Sequence, residues 1–238
     1  AFRAGHEAKH AENYRINSFH LGEGSPKQKF RANMDAIYTL KALENQHRDA
    51  TPEEQETLAN YVGWGGLADA FDAEKTAWTG EYKELKAALT EEEYAAARAS
   101  TLNAHYTSPT VIRAIYEALD GMGFEKGNIL EPSMGVGNFF GMLPDSMLGS
   151  RLYGVELDSI TGRIAQKLYP QAEIKVAGFE TTDRRDFYDL AVGNVPFGNY
   201  RVSDKPYDKL GFSIHNYFFA KALDQVRPGG IVAFVTSR

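Results

Sequence analysis

Tyr188-Asp189-Leu190-Ala191-Val192-Gly193 runs straight into Asn194-Val195-Pro196-Phe197-Gly198. The first six residues read as a buried strand, and the Asn and Pro that follow halt it. A strand that stops in Asn-x-Pro-aromatic carries three properties at once. The amide both accepts and donates hydrogen bonds. The Pro fixes the backbone and aims the neighbouring carbonyls. The ring offers a flat surface on which a planar group stacks. Together these suit a planar amine such as the exocyclic nitrogen of adenine. Taken alone, the stretch is equally a strand end followed by a turn.

The pattern around it decides between sheet types. Short apolar runs at 128–131, 151–156, 172–176, 188–193 and 231–236 alternate with helical stretches at 109–120, 137–143, 159–168 and 213–226. Strands alternating with helices predict a parallel sheet covered on both faces. Such sheets bind ligands beyond the carboxyl ends of their strands, where strand order reverses. Upstream, the chain reads as helical. Phe30, Met34, Ile37 and Tyr38, then Leu40 and Leu43, recur at helical spacing after Pro26. Thr51-Pro52-Glu53-Glu54 and Thr90-Glu91-Glu92-Glu93 are capping boxes. They open helices to about Val62, ended by Gly63-Trp64-Gly65-Gly66, and to about Ser100. Residues 1–25 lack periodicity and read as a loosely held arm. The boundary falls near 100–108, giving a helical region at 1–102 and an α/β domain at 103–238. The helical region is expected to cap the sheet, with Trp64 buried at their contact.

Composition narrows the class. The 238 residues hold one large domain or two small ones. A net charge of −6 argues against nucleic-acid binding by the whole surface, though not against a local basic groove. There is no Cys, so disulfides and thiolate metal sites are excluded. No apolar run approaches the roughly 20 residues of a membrane span, and no signal peptide is visible. These features fit a cytoplasmic protein without a membrane partner. The chain starts without Met and stops at Arg238 after a strand-like run, which reads as a piece of something longer.

Other motifs lie at the expected strand ends. The first strand leads into Glu131-Pro132-Ser133-Met134-Gly135-Val136-Gly137. Its glycines permit a sharp turn and close approach of a ligand. The second strand ends in Glu156, which reads either as an acceptor for two ribose hydroxyls or as a solvated strand-end carboxylate. The loop lacks the third Gly of a dinucleotide fingerprint and the Lys-Ser/Thr of a phosphate loop, so a nucleoside ligand here carries no pyrophosphate. Tyr106-Thr107-Ser108-Pro109 is a helix cap, or a loop in which Tyr106 and Thr107 close over a cofactor. His215 caps or orients a loop, or serves as a base. Residues 199–212 interleave Arg201, Lys205 and Lys209 with Tyr200, Tyr207 and Phe212, which suits a splayed nucleic acid. Asp204 and Asp208 dilute that signal. No metal site stands out among the scattered His.

In this order the motifs resemble the amino-group DNA methyltransferases that act on adenine N6 and depend on S-adenosylmethionine. The closer resemblance is to the methylase-like region of very large methylase/helicase proteins of conjugative elements and phages. It rests on Ala50–Gln55, Tyr61–Leu67, Gly193–Gly198, Ile214–Phe219 and Arg227–Gly230, and spans about 28–238. The resemblance implies a Rossmann-like α/β methyltransferase sheet, truncated at its C-terminal end, in a bacterial or phage-encoded protein. It implies that Tyr106 and Thr107 line the methionine end of the cofactor, and that Glu131, Pro132, Ser133, Gly135 and Gly137 cradle it. It assigns the ribose to Glu156 and the acceptor amine to Asn194 and the Val195–Pro196 backbone. Phe197 would stack on a base flipped out of the duplex. DNA and a helicase-like domain in the same chain are the implied partners.

Three departures shape the functional expectation. Val195 stands where the family usually has Pro, which leaves an N–H free and the backbone less fixed. The Asp that commonly contacts the cofactor adenine is absent, and Glu180, one position late, is its substitute. The sheet's continuation and a target-recognition region are missing. Three readings follow: an adenine-N6 DNA methyltransferase domain, a catalytically weak or inactive cofactor- and DNA-binding module, and a methyltransferase acting on a protein glutamine amide.

Overall fold

The computed structural model describes residues 11–17, 22–101 and 107–236. Five strands, β1 (Asn128–Glu131), β2 (Arg151–Glu156), β3 (Glu173–Val176), β4 (Tyr188–Asn194) and β5 (Val226–Val235), form one sheet in the order β3-β2-β1-β4-β5. Every pairing is parallel. The order reverses between β1 and β4, so the ends of these two neighbours flank the crevice where such sheets take ligands. This is the parallel sheet that the alternation of elements predicts, in the Rossmann-like arrangement that the resemblance implies.

Alternate residues of a strand face opposite ways, and both faces are covered. Ile129, Leu190 and Val192 join a buried cluster with α5 (Pro109–Gly121) and α7 (Ser159–Leu168). Leu130, Val155 and Ala191 join a second cluster with α8 (Ile214–Gln225). A short α6 (Asn138–Gly141) follows the loop after β1.

The helical region comprises α1 (Pro26–Asn45), α2 (Pro52–Ala59), α3 (Thr79–Ala88) and α4 (Glu91–Ser100). Ser25, Thr51 and Thr90 each close a capping box, and Ser108 and Asp158 cap α5 and α7. Each such cap is worth about 1 kcal/mol. α1 and α2 rest on α7. The junction is pinned by Arg163 of α7, whose guanidinium takes Glu44 at 2.7 Å and Glu93 at 2.8 Å, while Lys41 reaches Glu93 at 2.9 Å.

Several expectations change. Trp64 is buried, but the rings packed on it, Phe30, Tyr61 and Phe71, all belong to the helical region. The buried cluster it belongs to runs on into the sheet through Ile129, Leu190 and Val192. Tyr38 leaves the apolar stripe of α1; it is exposed, and its hydroxyl donates to Glu84. α2 stops at Ala59, not Val62, because Asn60 ends it. Residues 11–17 are docked rather than loose. Tyr14 is buried, its N–H donates to the Leu168 carbonyl at 2.8 Å, and Ile16 N–H donates to Gly141 at 2.9 Å. β5 begins at Val226, with a register shift opposite Tyr188 and Leu190 that carries residues 227–230 out of the ladder.

Candidate functional site

β1 delivers Glu131 to the crevice, and the chain then turns back through Gly135 and Gly137. Gly137 has φ 83°, and a Cβ there would meet the Tyr169 ring at 2.5 Å, so only Gly closes this turn. On β4, Gly193 has φ 152° and lies against Glu131, leaving room for that carboxyl beside the strand. Glu131 is 2% exposed, and its Oε2 has no hydrogen-bond partner. Burial, reinforced by the charge of Glu156, holds its pKa well above the usual carboxylate range. Such an orphaned buried oxygen is costly unless a ligand donor meets it.

β2 delivers Glu156 to the same place. Its two oxygens accept the N–H groups of Gly135 and Asp158, each at 2.8 Å. Burial pushes its pKa up to about 7, against the lowering effect of those N–H groups. Two neighbouring carboxyls that both resist ionisation favour a ligand that brings positive charge and hydroxyl donors.

β4 ends in Asn194, and Val195-Pro196-Phe197 continue along the crevice. The Val195 N–H is not free: it donates to the Val235 carbonyl at 3.1 Å, and its side chain is buried in the α8 cluster. The ladder to β5 thus fixes the backbone at Val195.

These elements enclose a cavity of about 350 Å³, a size suited to a small ligand. Thr107, Glu131, Ser133, Gly135, Glu156, Asn194, Pro196 and Phe197 line it, with Val195 beside them. Pro132 and Gly137 are buried behind the wall and shape the loop. Tyr106 lies outside the described residues. Glu180 is not on the wall. It sits in a short turn at Phe179–Thr181, and its carboxylate folds back over Gly178. His215 is also off the wall, with its ring 3.3 Å from the Ser213 hydroxyl. Sequence reasoning missed Tyr61, Val62, Gly63 and Ser100, which line the cavity from the helical region. The compact Gly63–Gly66 block carried that signal, but it reads locally as a helix stop.

The loop at 199–212 is anchored from below. Asp204 accepts Lys221 Nζ and the Tyr217 hydroxyl, both at 2.6 Å, and Lys221 is 4% exposed. Asp204 therefore neutralises a buried cation and does not cancel the exposed Arg201, Lys205 and Lys209. Tyr200 stands at the cavity mouth, 46% exposed. Among the described residues, no cluster of His, Cys, Asp or Glu is arranged to hold a metal ion, and no helix is long and apolar enough to cross a membrane.

A parallel sheet of this order, with a ligand-sized cleft at its reversal, defines a Rossmann-like α/β fold. Comparison with known proteins finds the following similarities. The chain is 28% identical over 220 residues to the "Defense against restriction protein B" of Escherichia phage P1, across 90% of this chain and 8% of that protein. It is 34% identical over 92 residues to the "Type II methyltransferase M.CvrRI" of Paramecium bursaria Chlorella virus XZ-6E, across 39% of this chain and 24% of that protein. The chain therefore spans a small part of both relatives. A candidate class I S-adenosylmethionine-dependent methyltransferase from Listeria monocytogenes superposes with a TM-score of 0.46 at 15% identity, over 87% of this chain and 73% of that one. A TehB-like methyltransferase from Corynebacterium glutamicum gives 0.36 at 18% identity, over 66% and 70%. No family model matches the chain.

Proposed function

We propose that this chain is the cofactor-binding and methyl-transfer domain of a DNA methyltransferase acting on adenine N6. One observation carries the reading. Asn194, Pro196 and Phe197 line the same cavity as Glu131, Ser133, Gly135 and Glu156, so an amine held by the first group meets a ligand held by the second. The cofactor is S-adenosylmethionine, which supplies a methyl group activated by its sulfonium. Its ammonium and sulfonium charges suit the two acids, with the orphaned Glu131 oxygen placed for a donor and Glu156 for ribose hydroxyls. The Asn194 side chain and the backbone carbonyls after it accept hydrogen bonds from the target amine. That localises the nitrogen lone pair for in-line attack, so catalysis is orientation and electrostatics. Phe197, with Tyr200 at the mouth, offers faces on which a flipped base stacks. Arg201, Lys205 and Lys209 supply the local positive charge that the chain as a whole lacks.

The similarity to a viral type II methyltransferase supports DNA as the substrate. The ladder bond of Val195 favours a working site over a relic, because it replaces the constraint that Pro would give. The test is transfer of labelled methyl from S-adenosylmethionine to DNA. Incorporation that disappears in Asn194→Ala supports the enzyme. Cofactor and DNA binding without incorporation supports a binding module instead.

A further inference from the structure

The cavity wall formed by residues 61–63 comes from outside the sheet, and one buried side chain holds it there. Asn33 of α1 is fully buried. The Val62 N–H donates to Asn33 Oδ1 at 2.9 Å, and Asn33 Nδ2 donates to the Gly63 carbonyl at 2.6 Å. A single amide thus satisfies the turn from both sides, as a neighbouring strand would. Gly63 takes φ 75°, a conformation that favours Gly. α1 is itself tied to α7 through Glu44 and Arg163, so the turn is referenced to the helix that starts just after Glu156. Glu156, Asp158 and Thr161 line the same cavity as residues 61–63. Tyr61 is buried beside these acids: burial, and then the charges of Asp158 and Glu156, hold its hydroxyl above the usual tyrosine range. Glu180, the residue expected to contact the nucleoside, is turned away.

We propose that residues 61–63 form the wall over the nucleoside part of the cofactor, with Asn33 as their positioning residue. The helical region is then part of the cofactor site rather than a separate cap. The inference rests on S-adenosylmethionine as the ligand.

The test titrates the wild type, Asn33→Ala and Val62→Trp with two ligands and records the thermal unfolding of each. The ligands are S-adenosylmethionine and 5′-methylthioadenosine, which keeps the nucleoside and lacks the amino-acid end. Folded variants should weaken by about tenfold for both ligands, by the same factor. Folded variants that bind both ligands within about twofold of the wild type overturn the proposal. So does a loss confined to S-adenosylmethionine, which would put the turn at the amino-acid end. If Asn33→Ala does not fold, Val62→Trp decides alone, because it keeps the amide clamp. A wild type that binds neither ligand overturns the cofactor assignment itself, and is told apart because no variant comparison is then needed.

Discussion

Glu156 sits between two demands. Its oxygens already hold two backbone N–H groups, yet burial keeps its pKa near the middle of the working range, at about 7. The ionised form accepts ribose hydroxyls best, so binding favours loss of its proton. Below pH 7 that proton must be displaced first. Affinity for S-adenosylmethionine should therefore fall as pH drops from 8 to 5, by up to about tenfold per unit below the pKa. Calorimetry across this range checks it, and Glu156→Gln should flatten the profile. Asn194 has the complementary role. Asn194→Ala should lower methyl transfer by about 10²–10³-fold while leaving cofactor affinity nearly unchanged, because it meets the acceptor rather than the cofactor. Both residues were legible because each ends a strand in a polar group after an apolar run. Glu180 was not: its expected role came from position in the chain, and a three-residue turn folds its carboxylate onto Gly178. The importance of Asn33 was equally hidden, since an Asn inside a helical pattern gives no local sign of a partner some thirty residues away.

At the scale of elements, local signals served best where they were self-contained. β1, β2 and α7 have the bounds that the apolar runs and the helical stretch at 159–168 predict. β5 does not, because Pro228-Gly229-Gly230 reads as a breaker. The structure tolerates it on an edge strand, where residues 227–230 leave the ladder before pairing resumes at Ile231. That resumed ladder reaches Val195. Val195→Pro would place a second Pro after Asn194 but delete the bond to Val235. It should destabilise the fold by about 1–3 kcal/mol, seen as a lower unfolding midpoint, and should not raise activity. A more active, equally stable Val195→Pro would show that the ladder does not fix the motif. Within the arm expected to be loosely held, Tyr14 and Ile16 dock through backbone bonds to Leu168 and Gly141, which no periodicity announces.

Across the whole molecule, titrating carboxyls pull stability in opposite directions. Arg48 holds Glu54 down to about 2. For Glu93 burial works the other way, but Arg163 and Lys41 outweigh it and also bring the pKa to about 2. The stability these pairs give is present above the unfolded carboxylate range, near 4.5, and is lost as pH falls toward 2. Glu131 and Glu156 have raised pKa values, so their contribution is greatest below that range and declines as pH rises above it, for Glu156 through about 7. The unfolding midpoint should therefore peak in mildly acidic solution. Glu156→Gln should reduce the decline between pH 5 and 8, and an unchanged decline would place its cause elsewhere. The same division leaves a local positive patch on an acidic chain. Asp204 is spent on Lys221 inside the fold, while Arg201, Lys205 and Lys209 stay outside near Tyr200.

In the proposed function, the cavity at the reversal of the sheet joins a methyl donor to an adenine amine. The most direct measurement incubates the protein with S-adenosylmethionine labelled in its methyl group and adenine-unmethylated DNA, then separates the nucleosides. The wild type should put label into N6-methyladenine, and an Asn194→Ala variant that still binds the cofactor should put in none. Label on cytosine or on a protein glutamine, with none on adenine, would contradict it.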